Sequence, residues 1–187
     1  MKIKTLEEFS EVLTAAIDKV LLLGQDGKEH CIHLSPEGKE LFVVAGEEKD
    51  TDLEPMIKAG LCQKGGILVH NHPIPVALSV PDLLLSSQQE CLIVCCDSDG
   101  GRFSSNGILG SKEKFAAVGE VLDMLNTLSL SFLLEKGWTP TELGMIDSHY
   151  LNLMMKKVGI LKSYNFLLGA QLKGLMDQSK ADIEAIE

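Results

Sequence analysis

The residues best placed to do chemistry are two histidines and an aspartate in the stretch Ile67–Leu83, ILVHNHPIPVALSVPDL: His70, His72 and Asp82. The short apolar run Ile67-Leu68-Val69 predicts a buried strand with the histidines at its exit. Side chains two apart on an extended backbone project to the same side, so the two imidazoles can converge on one point. Asp82 follows a loop, at the start of a predicted helix. Two imidazole nitrogens and a carboxylate oxygen form a three-donor set that leaves a fourth tetrahedral position open, as in a catalytic rather than a structural zinc site.

A purely structural account competes for the same residues. Ser79-x-x-Asp82 is also a capping box, with Pro81 in the first turn of the helix that follows. Capping and metal ligation are compatible for Ser79, whereas Asp82 is not easily aimed at both the Ser79 amide and a metal. The conjunction of four residue types at this spacing favours the metal over histidines that merely end a strand. His30, His33 and His149 have no partner at ligand spacing and read as structural. The five cysteines, Cys31, Cys62, Cys91, Cys95 and Cys96, carry no CxxC spacing and read as reduced thiols, with Glu90–Cys96 a buried strand in which cysteine acts as a small hydrophobe. Asp97-Ser98-Asp99-Gly100 fails as an EF-hand, because the twelfth position would be Ile108 where a bidentate Glu is needed, and reads as a hairpin turn.

The elements that must position these residues can be read in order. Leu6, Phe9, Val12, Leu13, Ala16, Ile17 and Val20 recur at helical spacing, with Thr5 and Glu8 as a capping box. Glu29–Leu34 and Leu41–Ala45 flank a Ser-Pro-Glu-Gly turn and predict a hairpin. A second helix is predicted from Thr51 to about Lys64, closed by Gly65-Gly66. Val80–Gln89 reads as a short helix, Cys91–Cys96 as a central strand and Arg102–Ser105 as an edge strand. From Ser111 helical patterns dominate: Phe115–Leu125, a capping box at Thr139-Pro140-Thr141-Glu142, an apolar helical pattern over Leu151–Leu168 broken by Gly159, and a fraying acidic tail over Ser179–Glu187. The predicted class is α/β, a mixed β-sheet flanked by helices, with a catalytic-type domain over residues 1–118 and a helical C-terminal extension over 119–187.

Charge narrows the partners. With 17 basic against 27 acidic residues and a net charge of −10, the chain shows no basic stripe for phosphates, so nucleic acid is not expected as a partner. No apolar run reaches the roughly 18 residues of a membrane span, and the N-terminus lacks the apolar core of a signal peptide. The expected location is cytoplasmic, without a membrane partner.

His70-x-His72-Pro73, five residues, then Ser79-x-x-Asp82 resembles the JAMM signature of the MPN/JAB metalloprotease family, and VHNHP (Val69–Pro73) is most similar to bacterial, phage and RadC-like members. The resemblance covers roughly residues 25–110. It implies a JAB-like, cytidine-deaminase-like layering and a Zn2+ held by His70, His72 and Asp82. It also implies that Ser79 contacts the water or the developing oxyanion, and that a glutamate from an earlier strand acts as general base. That glutamate would be Glu29, with Glu40, Glu47 and Glu48 as competitors. The chemistry implied is hydrolysis of a peptide or isopeptide bond in a protein or peptide substrate, ubiquitin-like conjugates included. Two other readings are a non-catalytic MPN-type scaffold and a RadC-like protein of DNA-related function; the acidic charge also counts against an HNH nuclease. The 74–78 loop is shorter than in many relatives and lacks their glycines, which predicts a stiff apolar rim. The C-terminal helices would either mediate a homo-oligomer or partner contact, or complete the core.

Overall fold

The computed structural model describes residues 10–47, 52–109, 131 and 133–184. The capping box at Thr5–Glu8, Glu48, Thr51 and the predicted helix over Phe115–Leu125 lie outside the described residues. The elements run α1 (Ser10–Leu23), a 3-10 turn (Gly24–Asp26), β1 (His30–Leu34), β2 (Glu40–Ala45), α2 (Glu54–Lys58), β3 (Ile67–His72), α3 (Val80–Gln89), β4 (Leu92–Asp97), β5 (Arg102–Ser105), α4 (Pro140–Lys157), β6 (Asn165–Leu167) and α5 (Ala170–Glu184).

The strands form one sheet in the order β2-β1-β3-β4-β5-β6. It is mixed: β3 and β4 are parallel, and the other neighbours are antiparallel. A parallel pair needs a crossover, and α3 supplies it. The architecture is therefore the α/β class that the order of elements predicts. Every residue of β3 is buried, as suits a central strand covered on both faces.

The register decides which side chains share a face. Cys31 pairs with His70, His70 with Cys95, Cys95 with Phe103 and Phe103 with Phe166, so one row crosses five strands on one face. That face carries Leu68 and Ile93 as well and packs against Leu83 of α3, Ile146 and Met155 of α4 and Leu172 of α5. The other face presents Ile32, Leu34, Ile67, Val69, Val94 and Cys96 to Leu13, Ala16, Ile17 and Val20 of α1. Burying each such side chain stabilises the fold by about 1.5–3 kcal/mol relative to leaving it exposed. Cysteine does act here as a small hydrophobe: Cys31, Cys91, Cys95 and Cys96 are buried and all five thiols are free.

Three elements differ from the sequence expectation. The second helix is one short turn, because Gly60 at φ +69° sits in the left-handed region directly after its end. The pattern over Leu151–Leu168 is broken at Gly159, φ +76°, as expected, but beyond it the chain is not helical: Asn165–Leu167 pairs antiparallel with β5 as the sixth strand. Strand pairing with a neighbour already in place outweighs the local helical period. Within the stretch expected to fray, Ser179 to Glu184 are helical, Ser179 is fully buried and its hydroxyl meets the Tyr150 hydroxyl at 2.7 Å, while residues 185–187 lie outside the described residues. The capping boxes at Ser79 and Thr139 form as expected. Among the described residues, no helix is long and apolar enough to cross a membrane.

Candidate metal centre

Both histidines belong to β3, on the same face by the two-residue period, at the strand end where the sheet opens into a cleft. Their Nε2 atoms are 3.0 Å apart. His72 Nδ1 lies 3.0 Å from the Val76 carbonyl oxygen and donates to it, which leaves the Nε2 lone pair facing His70. A ligating imidazole usually has its second nitrogen tied in this way. Burial and the neighbouring His70 lower the His72 pKa to about 4, so its ring is neutral. Burial also pulls His70 down, but the carboxylate of Asp82 outweighs it and the pKa of His70 is raised. In the metal-free protein His70 Nε2 therefore donates and His72 Nε2 accepts.

Asp82 resolves the conflict between cap and ligand by using its two oxygens differently. Oδ2 accepts from the Ser79 amide and the Ser79 hydroxyl, both at 2.7 Å, and closes the capping box of α3. Oδ1 lies 3.4 Å from His70 Nε2, and Oδ2 is 3.8 Å from His72 Nε2. The cap engages Oδ2 and leaves Oδ1 facing His70. Burial works against the charged form, but His70 and the Ser79 hydrogen bond hold the Asp82 carboxyl well below the usual range.

These separations can be tested against a metal. For metal–donor bonds of about 2.0–2.1 Å, tetrahedral geometry puts donors about 3.3–3.4 Å apart. His70 Nε2 lies 3.0 Å from His72 Nε2 and 3.4 Å from Asp82 Oδ1, both close to that value, whereas His72 Nε2 meets Asp82 through the other oxygen, Oδ2, at 3.8 Å, so a small divalent ion would fit once the carboxylate turns toward it.

The structure also brings up a residue the sequence reading took only as core. Cys95 Sγ lies 3.4 Å from His72 Nδ1 and 3.7 Å from the Val76 carbonyl oxygen. His70, His72 and Cys95 each offer a donor atom within 4.8 Å of the others and could hold a metal ion. The two donor sets share both histidines, and the Cys95 thiol approaches His72 from its Nδ1 side. The Nδ1 side is occupied by Val76, and burial pushes the Cys95 thiol well above its usual pKa, so the thiol is protonated. Cys95 thus flanks the Nδ1 side of His72 while Asp82 Oδ1 faces His70 Nε2, so two side chains are candidates for a third donor beside the histidines. Only the register of β4 beside β3 could have revealed Cys95, and no local signal encodes it.

Glu29 stands one residue before β1, on the side where the β1–β3 register, continued two residues past the Cys31–His70 pair, leads to His72. Its own N–H and carbonyl pair with Glu47 and Gly46 on the β2 side. On the β3 side, the Asn71 amide accepts from His30 N at 2.8 Å and donates to the Lys28 carbonyl oxygen at 2.9 Å, gripping the backbone on both sides of Glu29. Asn71 points to the face opposite the histidines, so the middle residue of His-Asn-His holds the strand that carries the glutamate. Glu29 is 9% exposed and lines the cleft with His70, His72, Ser79 and Asp82. Glu40 instead pairs with Lys19 of α1 at 2.8 Å, and Glu47 with Lys28 at 3.4 Å.

The remaining histidines have other partners. His30 Nε2 lies 3.1 Å from Asp26, His33 Nε2 accepts from Gln63 N at 2.9 Å, and His149 Nδ1 meets the Tyr164 hydroxyl at 2.8 Å.

The cleft holds about 860 Å³. Its walls include Leu53 and Ile57 by α2, Pro73, Ile74 and Val76 of the loop, and Gly144, Asp147 and Ser148 of α4. The apolar prolyl rim expected from the loop sequence is present. The α4 wall was not foreseen from the sequence, since nothing local says where that helix docks.

Compared with known proteins, the chain matches no family model, no curated protein and no solved structure.

Proposed function

We propose that this chain is a zinc-dependent amide hydrolase of the JAMM type, acting on a peptide or isopeptide bond of a protein substrate. The observation that carries the reading is the approach of His70 Nε2 to both His72 Nε2, at 3.0 Å, and Asp82 Oδ1, at 3.4 Å, in a cleft that also holds Glu29. His70, His72 and Asp82 would hold the ion. When bound, zinc supplies Lewis acidity, making water acidic near neutral pH and polarising a carbonyl.

The chain's own residues supply the proton transfers. Glu29, anchored at the backbone from both neighbouring strands, accepts a proton from the attacking water and returns it to the leaving amine. The Ser79 hydroxyl donates to Asp82 Oδ2 in the resting site, so its first task is to orient that carboxylate. Donation to the developing oxyanion requires it to turn toward the substrate. The apolar walls exclude water from the reacting bond and favour an apolar residue beside it.

The test is hydrolysis of a panel of peptides and ubiquitin-like isopeptide conjugates by zinc-loaded and chelator-stripped protein. Glu29→Gln is expected to lower turnover roughly 10²–10⁴-fold while one zinc per chain is retained. Hydrolysis indifferent to both zinc and Glu29→Gln would refute the assignment.

A further inference from the structure

The backbone of the loop that joins the histidines to Asp82 is held from outside itself. Within it, Val76 N bonds to Ile74 O at 2.8 Å. The Val76 carbonyl oxygen takes the proton of His72 Nδ1, and Ser79 N gives its own to Asp82. Of the four backbone groups between those points, α4 meets two: Ala77 N donates to Ser148 Oγ at 3.1 Å, and Asn152 Nδ2 donates to the Leu78 carbonyl oxygen at 2.8 Å.

Ser148 and Asn152 are four residues apart, one above the other on the same face of α4. Asn152 is 1% exposed, and of its amide the Nδ2 is paired with Leu78 while the buried Oδ1 has no hydrogen-bond partner among the described residues, so the loop bond is what this buried amide makes. Both bonds fall between Val76, which fixes the His72 ring, and Ser79, which fixes the Asp82 carboxylate. A shift of this segment would therefore rotate one donor and swing the other.

We infer that Ser148 and Asn152 of α4 are positioning residues of the metal centre, setting its affinity by clamping Ala77 and Leu78. This rests on reading His70, His72 and Asp82 as metal donors. It makes the C-terminal segment part of the site, although that segment contributes no donor of its own.

The measurement is the zinc dissociation constant of the full chain, by competition with a chromophoric chelator. Ser148→Ala combined with Asn152→Leu is expected to weaken zinc binding about 10–100-fold, the loss typical of removing outer-shell partners. Ser148→Ala alone, at a half-buried position that leaves the fold intact, is expected to weaken it several-fold, and Ser148→Thr to restore it. Leu143→Ala, buried in the same helix without a bond to the loop, serves as the control; it should lower the melting temperature and leave the constant within about twofold. Equal zinc affinity in the wild type and the Ser148 and Asn152 variants, or an equal loss in Leu143→Ala, would overturn the inference while leaving the metal reading standing. A wild-type chain that takes up no zinc would remove the metal reading first and the clamp with it.

Discussion

The competing donor sets, with Asp82 or Cys95 as the third member, make opposite forecasts for metal-dependent stability. A ligand present at a thousandfold excess over its dissociation constant stabilises the folded state by about 4.1 kcal/mol. At about 2–4 °C per kcal/mol for a chain of this size, saturating zinc should raise the wild-type melting temperature by roughly 8–16 °C. Asp82→Asn keeps the side-chain shape but replaces the anionic Oδ1, 3.4 Å from His70, with a weak neutral donor. Its zinc affinity should fall at least as far as when an outer partner is lost, about 10–100-fold. That is about 1.4–2.8 kcal/mol, removing roughly 3–11 °C of the zinc-induced rise. Cys95→Ser changes a thiol on the Nδ1 side of His72, away from the shared Nε2 focus, and should leave the rise within about 2 °C. The assay is differential scanning fluorimetry with zinc and with chelator, each variant compared with its own metal-free form so that changes in the apo fold cancel. A rise abolished by Cys95→Ser and kept by Asp82→Asn would refute the assignment of Asp82 and make Cys95 the third donor.

Two further outcomes are expected. Ser79→Ala removes the N-cap of α3 and should destabilise the metal-free chain by about 0.5–2 kcal/mol, read as a lower urea midpoint; an unchanged midpoint would mean the box carries no stability. Acid should destabilise the metal-free protein between about pH 6.5 and 4, because burial lowers the pKa of His33, His72 and His149 from 6.5 to about 4 and unfolding lets each ring take up a proton there. The slope is up to about 1.4 kcal/mol per pH unit for each ring. His70 has the opposite sign: its raised pKa stabilises the fold below 6.5, and that contribution is lost as pH rises through its folded value. The metal-free chain should thus be most stable near neutral pH, and urea midpoints that stay flat from pH 6.5 to 4 would contradict the burial of these rings.

What could be read in advance was what local rules govern. The two-residue period put His70 and His72 on one face, and the Ser79 and Thr139 capping boxes began helices where the residue types require them. Glu29 was legible only as a residue opening a strand; its place on the side of His72 follows from the β1–β3 register continued past the Cys31–His70 pair, with the grip of Asn71 on either side. The apolar pattern after Leu151 misled because the same residues suit a helix and a strand, and an open β5 edge decided for the strand.

The sequence by itself determined the strand that carries the imidazoles, the cap that holds Asp82, and the alternation that sends Asn71 to one face and its neighbours to the other, since each depends on residues a few positions apart. Only the packing of the whole chain put one carboxylate against both the Ser79 cap and His70, Cys95 beside His72, and α4 on the loop between His72 and Asp82. Those facts depend on strand register and helix docking, which are fixed by how the whole core packs, and no short stretch of chain encodes them.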